Sequence, residues 1–259
     1  MTTDYKKDFI KCLKSVEYSR HDWDIFADFL DMASLSIANV FLKNPDYEKE
    51  YLQTVGRYKK GSADRFPELL EILTLALEQN PWQDFLGTVY QEISANNKHL
   101  GQFFTPFHVS EMMAQCSLYP DDIGKIINEQ GYFTMSEPCS GAGGMIIACA
   151  KAVQEYGFNP QQAMYFDAVD LDKKCFAMTY IQTSLLGLAG CVHWGNSISL
   201  KMFREYSTPM LHSDVWQFRF ITQRLRGVFK ELPKEMATAA PFEVKKSDVI
   251  TKPKQLALF

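Results

Sequence analysis

Apolar side chains recur at a mostly helical period through Trp23, Phe26, Ala27, Leu30, Ala33, Leu35, Ile37 and Phe41, behind the candidate cap Asp22. Asn44-Pro45-Asp46 ends that stretch, and residues 47–59 offer a second helix before the break at Gly61-Ser62. A third pattern runs from Phe66 to Leu77, and Asn80-Pro81 opens a fourth that carries Phe85, Leu86, Val89 and Ile93. The first hundred residues therefore read as helical, with their aromatic stripe turned inward as core. Beyond them the period changes. Helices are expected over 107–118 and 120–129, then a short apolar strand over 131–135 and a helix over 145–156. A strand over 165–169, a helix over 173–186 and a strand over 190–194 follow. This strict alternation predicts an α/β fold with a parallel, doubly wound sheet. One short basic helix over 221–230 comes next. From about Lys234 the prolines, mixed charges and lost period read as a flexible tail. The expected organisation is a helical domain over 1–100, an α/β domain over 101–230 and a tail over 231–259.

The chemistry gathers where the first strand meets its helix, at Ser136-Glu137-Pro138-Cys139-Ser140-Gly141-Ala142-Gly143-Gly144. A strand, a glycine-rich turn and a helix N-terminus let backbone N–H groups approach a nucleotide-like ligand. A Gly-x-Gly-Gly turn can equally be a tight connection and nothing more. The next strand ends at Asp170, placed to accept hydrogen bonds from two ribose hydroxyls. Asp170 and Asp172 also suit the cap of the following helix. Together these features favour an adenosine-type ligand without choosing between a dinucleotide and S-adenosylmethionine.

Charge narrows the partners. A net charge of −4 does not advertise strong autonomous affinity for duplex DNA, although Arg219, Arg224, Arg226 and Lys230 crowd together. The six cysteines form no C-x-x-C pair and read as reduced thiols. The five histidines lack metal-ligand spacing, so no metal site is expected. No signal peptide and no apolar run of membrane-spanning length are evident, and a cytoplasmic protein is the expectation.

Four segments then carry a family likeness. In order, Gly101-Gln102-Phe103-Phe104-Thr105-Pro106, Glu137-Pro138-Cys139-Ser140-Gly141-Ala142-Gly143-Gly144, Asp170-Leu171-Asp172 and Gly195-Asn196-Ser197 resemble the cofactor half of adenine-N6 DNA methyltransferases. The likeness is strongest to the modification subunits of type I restriction systems. The lead-in Asp84-Phe85-Leu86-Gly87-Thr88-Val89-Tyr90 looks like the family's preceding helix, and the resemblance spans about 81–199. It implies a Rossmann-like S-adenosylmethionine methyltransferase sheet, shortened here, with DNA as substrate and a specificity subunit as a possible partner. By this likeness Phe104 and Thr105 fold over the methionine end of the cofactor. Glu137 faces the sulfonium and ammonium, while Ser140, Gly141 and Gly143 form the cradle. Asp170 takes the ribose. Asn196 stands where the family carries an aspartate for the adenine amine, and Gly-Asn-Ser is also a common turn. A nicotinamide dehydrogenase fits less well, since Phe-Phe-Thr-Pro has no role there.

The family's [DNS]-P-P-[YFW] tetrapeptide, which aims the target amine and stacks on the flipped base, has no counterpart. Ser207-Thr208-Pro209-Met210 is the nearest approximation, with Trp216 or Phe218 as candidate rings. Thr208, Pro209 and Trp216 are therefore the catalytic candidates, unless the stretch is only a connector. It follows Ser197 so soon that little room for a strand is expected between them. Two functions remain: a shortened adenine-N6 DNA methyltransferase needing a partner, or a catalytically inactive methylase-like protein working by association. The C-terminal Gln255-Leu256-Ala257-Leu258-Phe259 resembles the pentapeptide by which bacterial DNA-processing proteins grip the sliding clamp. Gln255, Leu256, Leu258 and Phe259 would make that contact, the alternative being a final strand docked on the parent domain.

Overall fold

The computed structural model describes residues 3–94 and 103–231, with side chains described as far as residue 223. The expected tail from residue 232 on, with Gln255, Leu256, Leu258 and Phe259, lies outside the described residues, as do residues 101 and 102.

Five helices open the chain. Helix α1 (Tyr5–Val16) is capped by Asp4, whose side chain accepts from Lys7 N. Helix α2 (Asp22–Leu42) follows, and Lys43 stops it with a left-handed backbone. Asn44 caps α3 (Pro45–Val55), with Pro45 in its first turn, where a missing N–H is harmless. Helices α4 (Arg65–Gln79) and α5 (Phe85–Ser94) complete the set. The ring of Phe9 meets Phe26, Phe29 and Phe85 edge-on, which ties α1, α2 and α5 around one apolar centre.

By length and composition α2 is long and apolar enough to cross a membrane, a correction to the sequence reading. Its surroundings are those of a core helix. Ten of its residues are buried, and its Asp28 is held by Arg20, Arg57 and the Tyr58 hydroxyl.

Helices α6 (Phe107–Ser117) and α7 (Pro120–Gln130) lead into β1 (Phe133–Glu137), two residues later than the pattern suggested. Then come α8 (Gly144–Glu155), the short α9 (Pro160–Ala163), β2 (Met164–Asp170), α10 (Lys173–Leu185), β3 (Ala189–Asn196) and β4 (Lys201–Ser207). The strands lie in the order β1-β2-β3-β4, the first three parallel and the last antiparallel. The sheet is therefore mixed rather than purely parallel. A strand does fit between Ser197 and Thr208, because the hairpin before it is tight. Asn196 Oδ1 accepts from both Ile198 N and Ser199 N, and Leu200 takes a positive φ.

One sheet face is sealed by α10, whose Phe176 and Tyr180 pack on Tyr206 of β4. The other face carries a smaller cluster in which Trp216 packs with Tyr132, Tyr165 and Ala189. Trp216 belongs to α11 (Asp214–Glu231), which begins seven residues before the expected basic helix.

The boundary expected near residue 100 does not separate two cores. A single cluster joins Phe9, Leu30 and Phe85 to Ile146, Phe166 and Tyr206. Charges bind the layers as well, since Lys173 meets Asp31 and Glu50 while Arg204 forms a bond of 2.9 Å to Glu50. The compact unit extends to Phe220, and a second unit starts at Ile221 within α11.

Candidate functional site

The glycine turn between β1 and α8 is shaped by its own backbone. Ser140 N donates to Val169 O and Gly143 N to Ser140 O, while Gly141 and Gly143 take positive φ values of 57° and 93°. An L side chain at either position would be strained. The turn is also held from the next strand: Gly141 N donates to Asp170 Oδ2 at 2.8 Å, and Asp170 Oδ1 accepts from Asp172 N. From below, α10 supplies two buried polar side chains one turn apart. Thr179 Oγ1 donates to Gly141 O and lies 3.1 Å from Ser140 Oγ. Gln182 Nε2 donates to Ala142 O and to Asp84 Oδ1, and Gln182 Oε1 accepts from Leu86 N. Thr179 and Gln182 were missed in the sequence; two polar residues three apart inside an apolar helix were the available signal.

Above the turn lies a cleft of about 260 Å³ at the carboxyl end of β1. Phe104 forms one wall. Its ring stands 3.2 Å from where a Cβ on Gly141 would sit and packs on Tyr90 with centroids 4.8 Å apart. Gln91 Nε2 fixes the segment by donating to Phe104 O. Thr105 is exposed at the rim, and Glu137 accepts from Cys139 N with one carboxylate oxygen.

The electrostatics of the cleft favour a cation. Burial pushes the Glu137 and Asp170 carboxyls above their ordinary range, and like charge adds to each, from Asp170 on Glu137 and from Asp172 on Asp170. Asp84 is raised by burial too. Among the described residues no lysine or arginine lines the cleft. A pyrophosphate would meet carboxylates without counter-charge, whereas a cationic ligand would relieve them. A larger hollow of about 630 Å³ between α1, α4 and α5 lacks any such constellation and lies away from the glycine turn.

The expected cofactor residues divide by position. Phe104, Thr105, Glu137, Ser140 and Gly141 line the cleft. Gly143 stands directly behind them as the N-cap of α8, and Asp170 is joined to them through Gly141. Asn196 does not line the cleft. Its amide oxygen already serves two backbone N–H groups, so the turn role is the one it fills here.

The expected catalytic group falls elsewhere. Thr208 is fully buried, its hydroxyl donating to Leu188 O and accepting from Gly190 N at the amino end of β3. Glu137 and Asp170 end their strands at the opposite edge of the sheet. Pro209 begins the single 3-10 turn that follows Thr208. Trp216 is fully buried and donates from its indole to Gln161 O. Thr208 and Trp216 thus sit buried in this structure, away from the cleft, and Pro209 is placed with Thr208 as the half-buried start of that 3-10 turn.

A family model described as N-6 DNA methylase matches residues 82–212, just over half of the 259-residue chain. No curated protein and no solved structure matches the chain.

Proposed function

We propose that this chain, which belongs to the N-6 DNA methylase family, holds S-adenosylmethionine over its glycine turn and serves adenine-N6 methylation of bacterial DNA. The observation that carries this reading is the meeting of three segments far apart in sequence. Phe104 covers Gly141, and Gly141 donates its N–H to Asp170. The acidic cleft adds support, because S-adenosylmethionine brings positive charge where a dinucleotide brings negative.

In this reading the chain is a shortened, Rossmann-like methyltransferase module. Phe104 and Thr105 close over the methionine end, and Glu137 faces the sulfonium. Ser140, Gly141 and Gly143 admit the ligand to the backbone, Asp170 takes the ribose hydroxyls, and Asn196 shapes the turn on the adenine side. The bound cofactor supplies an electrophilic methyl group; the chain's residues bind and orient it.

A second reading rests on the missing tetrapeptide and on the burial of Thr208 and Trp216. Here the chain is a cofactor-binding component, and the groups that aim the target amine come from another polypeptide. A modification or specificity partner of a type I-like restriction system suits that role. Clamp binding through Gln255, Leu256, Leu258 and Phe259 would bring this acidic chain to DNA by effective concentration. Both readings place the work in the bacterial cytoplasm. Incubation with labelled-methyl cofactor and bacterial DNA separates them. Label in adenine with the chain alone supports the first, and bound cofactor without transfer supports the second. Neither binding nor transfer overturns both.

A further inference from the structure

The turn between β3 and β4 carries apolar side chains that nothing covers. Ile198, at 94% exposure, is the most open large apolar side chain among the described residues, and Leu200 beside it is 76% exposed. Folding gives no reason for either, since a polar pair would close the same turn without leaving apolar surface in water. The backbone points the same way. Leu200 takes a φ of 57°, a left-handed conformation that glycine or asparagine adopts at less cost than leucine. The turn is nonetheless stiff. Asn196 Oδ1 accepts from Ile198 N and Ser199 N, and at the root Phe203 packs on Trp194, whose indole donates to Leu171 O. Lys201 stands exposed where the turn enters β4.

Its place in the fold narrows what the turn meets. Asn196 ends β3 at the carboxyl edge of the sheet, where Glu137 ends β1 and Asp170 ends β2. Two strand spacings separate β3 from β1, about 10 Å, less than the roughly 12 Å width of a DNA major groove. Under the function proposed above, the target amine has to reach a methyl group held at this edge, so the edge faces the DNA. Ile198 and Leu200 then face it too. An adenine inside a duplex cannot line its amine up with the methyl until it leaves the stack, and the opened step has to be held. Apolar side chains have one favourable place on DNA, which is between bases. A protein partner seated on the tip would occupy the side from which the DNA approaches.

We propose that Ile198 and Leu200 form a wedge that enters the base stack of duplex DNA beside the target adenine, with Lys201 placed for a phosphate next to the entry point. This deepens the function proposed above and rests on it. It gives the strained Leu200 a purpose, because the fixed backbone aims a side chain that a glycine turn would lack. It also gives β4 a role, since pairing with β3 anchors the tip against the push of the bases. Ile198 and Leu200 are positioning residues in this scheme. They hold the step open and touch neither the cofactor nor the reacting amine.

The test is fluorescence-anisotropy titration of the full chain, at low salt, against two labelled duplexes that differ only in one central mismatched pair. A wedge has to unstack the matched duplex, whereas the mismatch has already met part of that cost. The unaltered chain should therefore bind the mismatched duplex about 10-fold more tightly. In the double variant Ile198→Ser, Leu200→Gly the preference should shrink to within about twofold. Glycine suits the positive φ and both side chains are exposed, so the variant keeps its fold. Calorimetric titration with S-adenosylmethionine, expected to be unchanged within about twofold, reports that. Equal binding of the two duplexes by the unaltered chain, or a preference kept by the double variant, would overturn the wedge and leave the cofactor reading standing. So would a dimer in sedimentation velocity that only the double variant loses, which would make the tip a contact between copies. If the unaltered chain binds neither duplex, the DNA reading falls and the wedge falls with it.

Discussion

Gly141 is the residue on which the cleft depends most. Its φ of 57° and the Phe104 ring 3.2 Å from its absent Cβ mean that Gly141→Ala strains the backbone and displaces the wall together. Left-handed backbone alone costs an L residue roughly 1–2 kcal/mol, so denaturant unfolding should show at least that loss, together with weaker cofactor binding. Asp170→Ala removes the acceptor of Gly141 N and Asp172 N at once. It should lower cofactor affinity by about 1.5–3 kcal/mol in calorimetry, the scale of hydrogen bonds to a charged group. The same carboxylates set a pH dependence. Burial raises Asp84, Glu137 and Asp170, so the folded chain holds these protons more tightly than the unfolded chain. Their contribution to stability is present at low pH and lost as pH rises through the raised values. A cationic ligand favours the deprotonated forms, so its affinity should increase between pH 5 and pH 7.5. Affinity falling over that interval would contradict the cation assignment.

At the scale of elements, the sequence was most legible where one force acted alone. Periodicity located α2, α4, α8 and α10 to within a few residues, because each buries a stripe against a neighbour. The glycine turn and Asp170 were legible because positive φ and a strand-end carboxylate leave local marks. β4 was not. Its face pattern is weakly apolar, with Lys201, Met202, Phe203 and Glu205 exposed, and its existence rests on Asn196 closing a four-residue hairpin. The burial of Trp216 was not legible for a related reason: a ring beside a motif-like Thr-Pro looks available until the pairing of β3 and β4 is known. Its burial makes a clear forecast. Trp216→Ala should destabilise the fold by about 3–5 kcal/mol, as core aromatic truncations do, measured by chemical unfolding. Trp216→Phe should retain cofactor binding. A Trp216→Ala chain with unchanged stability but no methyl transfer would restore the catalytic reading.

On the scale of the molecule, the helical segment and the sheet act as one body, through the shared core and through Glu50. Burial works to raise the Glu50 carboxyl, but Arg204 and Lys173 together bring it below its usual range. Glu50 thus contributes stability above its ordinary value and loses it as pH falls through the depressed one. Asp31, bound to the same Lys173, is raised by burial and has the opposite sign. Glu50→Gln should therefore flatten the acid limb of the unfolding profile. This cross-layer tie could not be read from sequence, since Glu50 and Arg204 are 154 positions apart. Under the function proposed above, this fused body presents one cationic cofactor to DNA chemistry. Isothermal titration of the full chain with S-adenosylmethionine tests it most directly. The account predicts saturable binding at one site per chain, weakened in Gly141→Ala and Asp170→Ala but retained in Trp216→Phe. No heat of binding, or equal binding in all these variants, would contradict it.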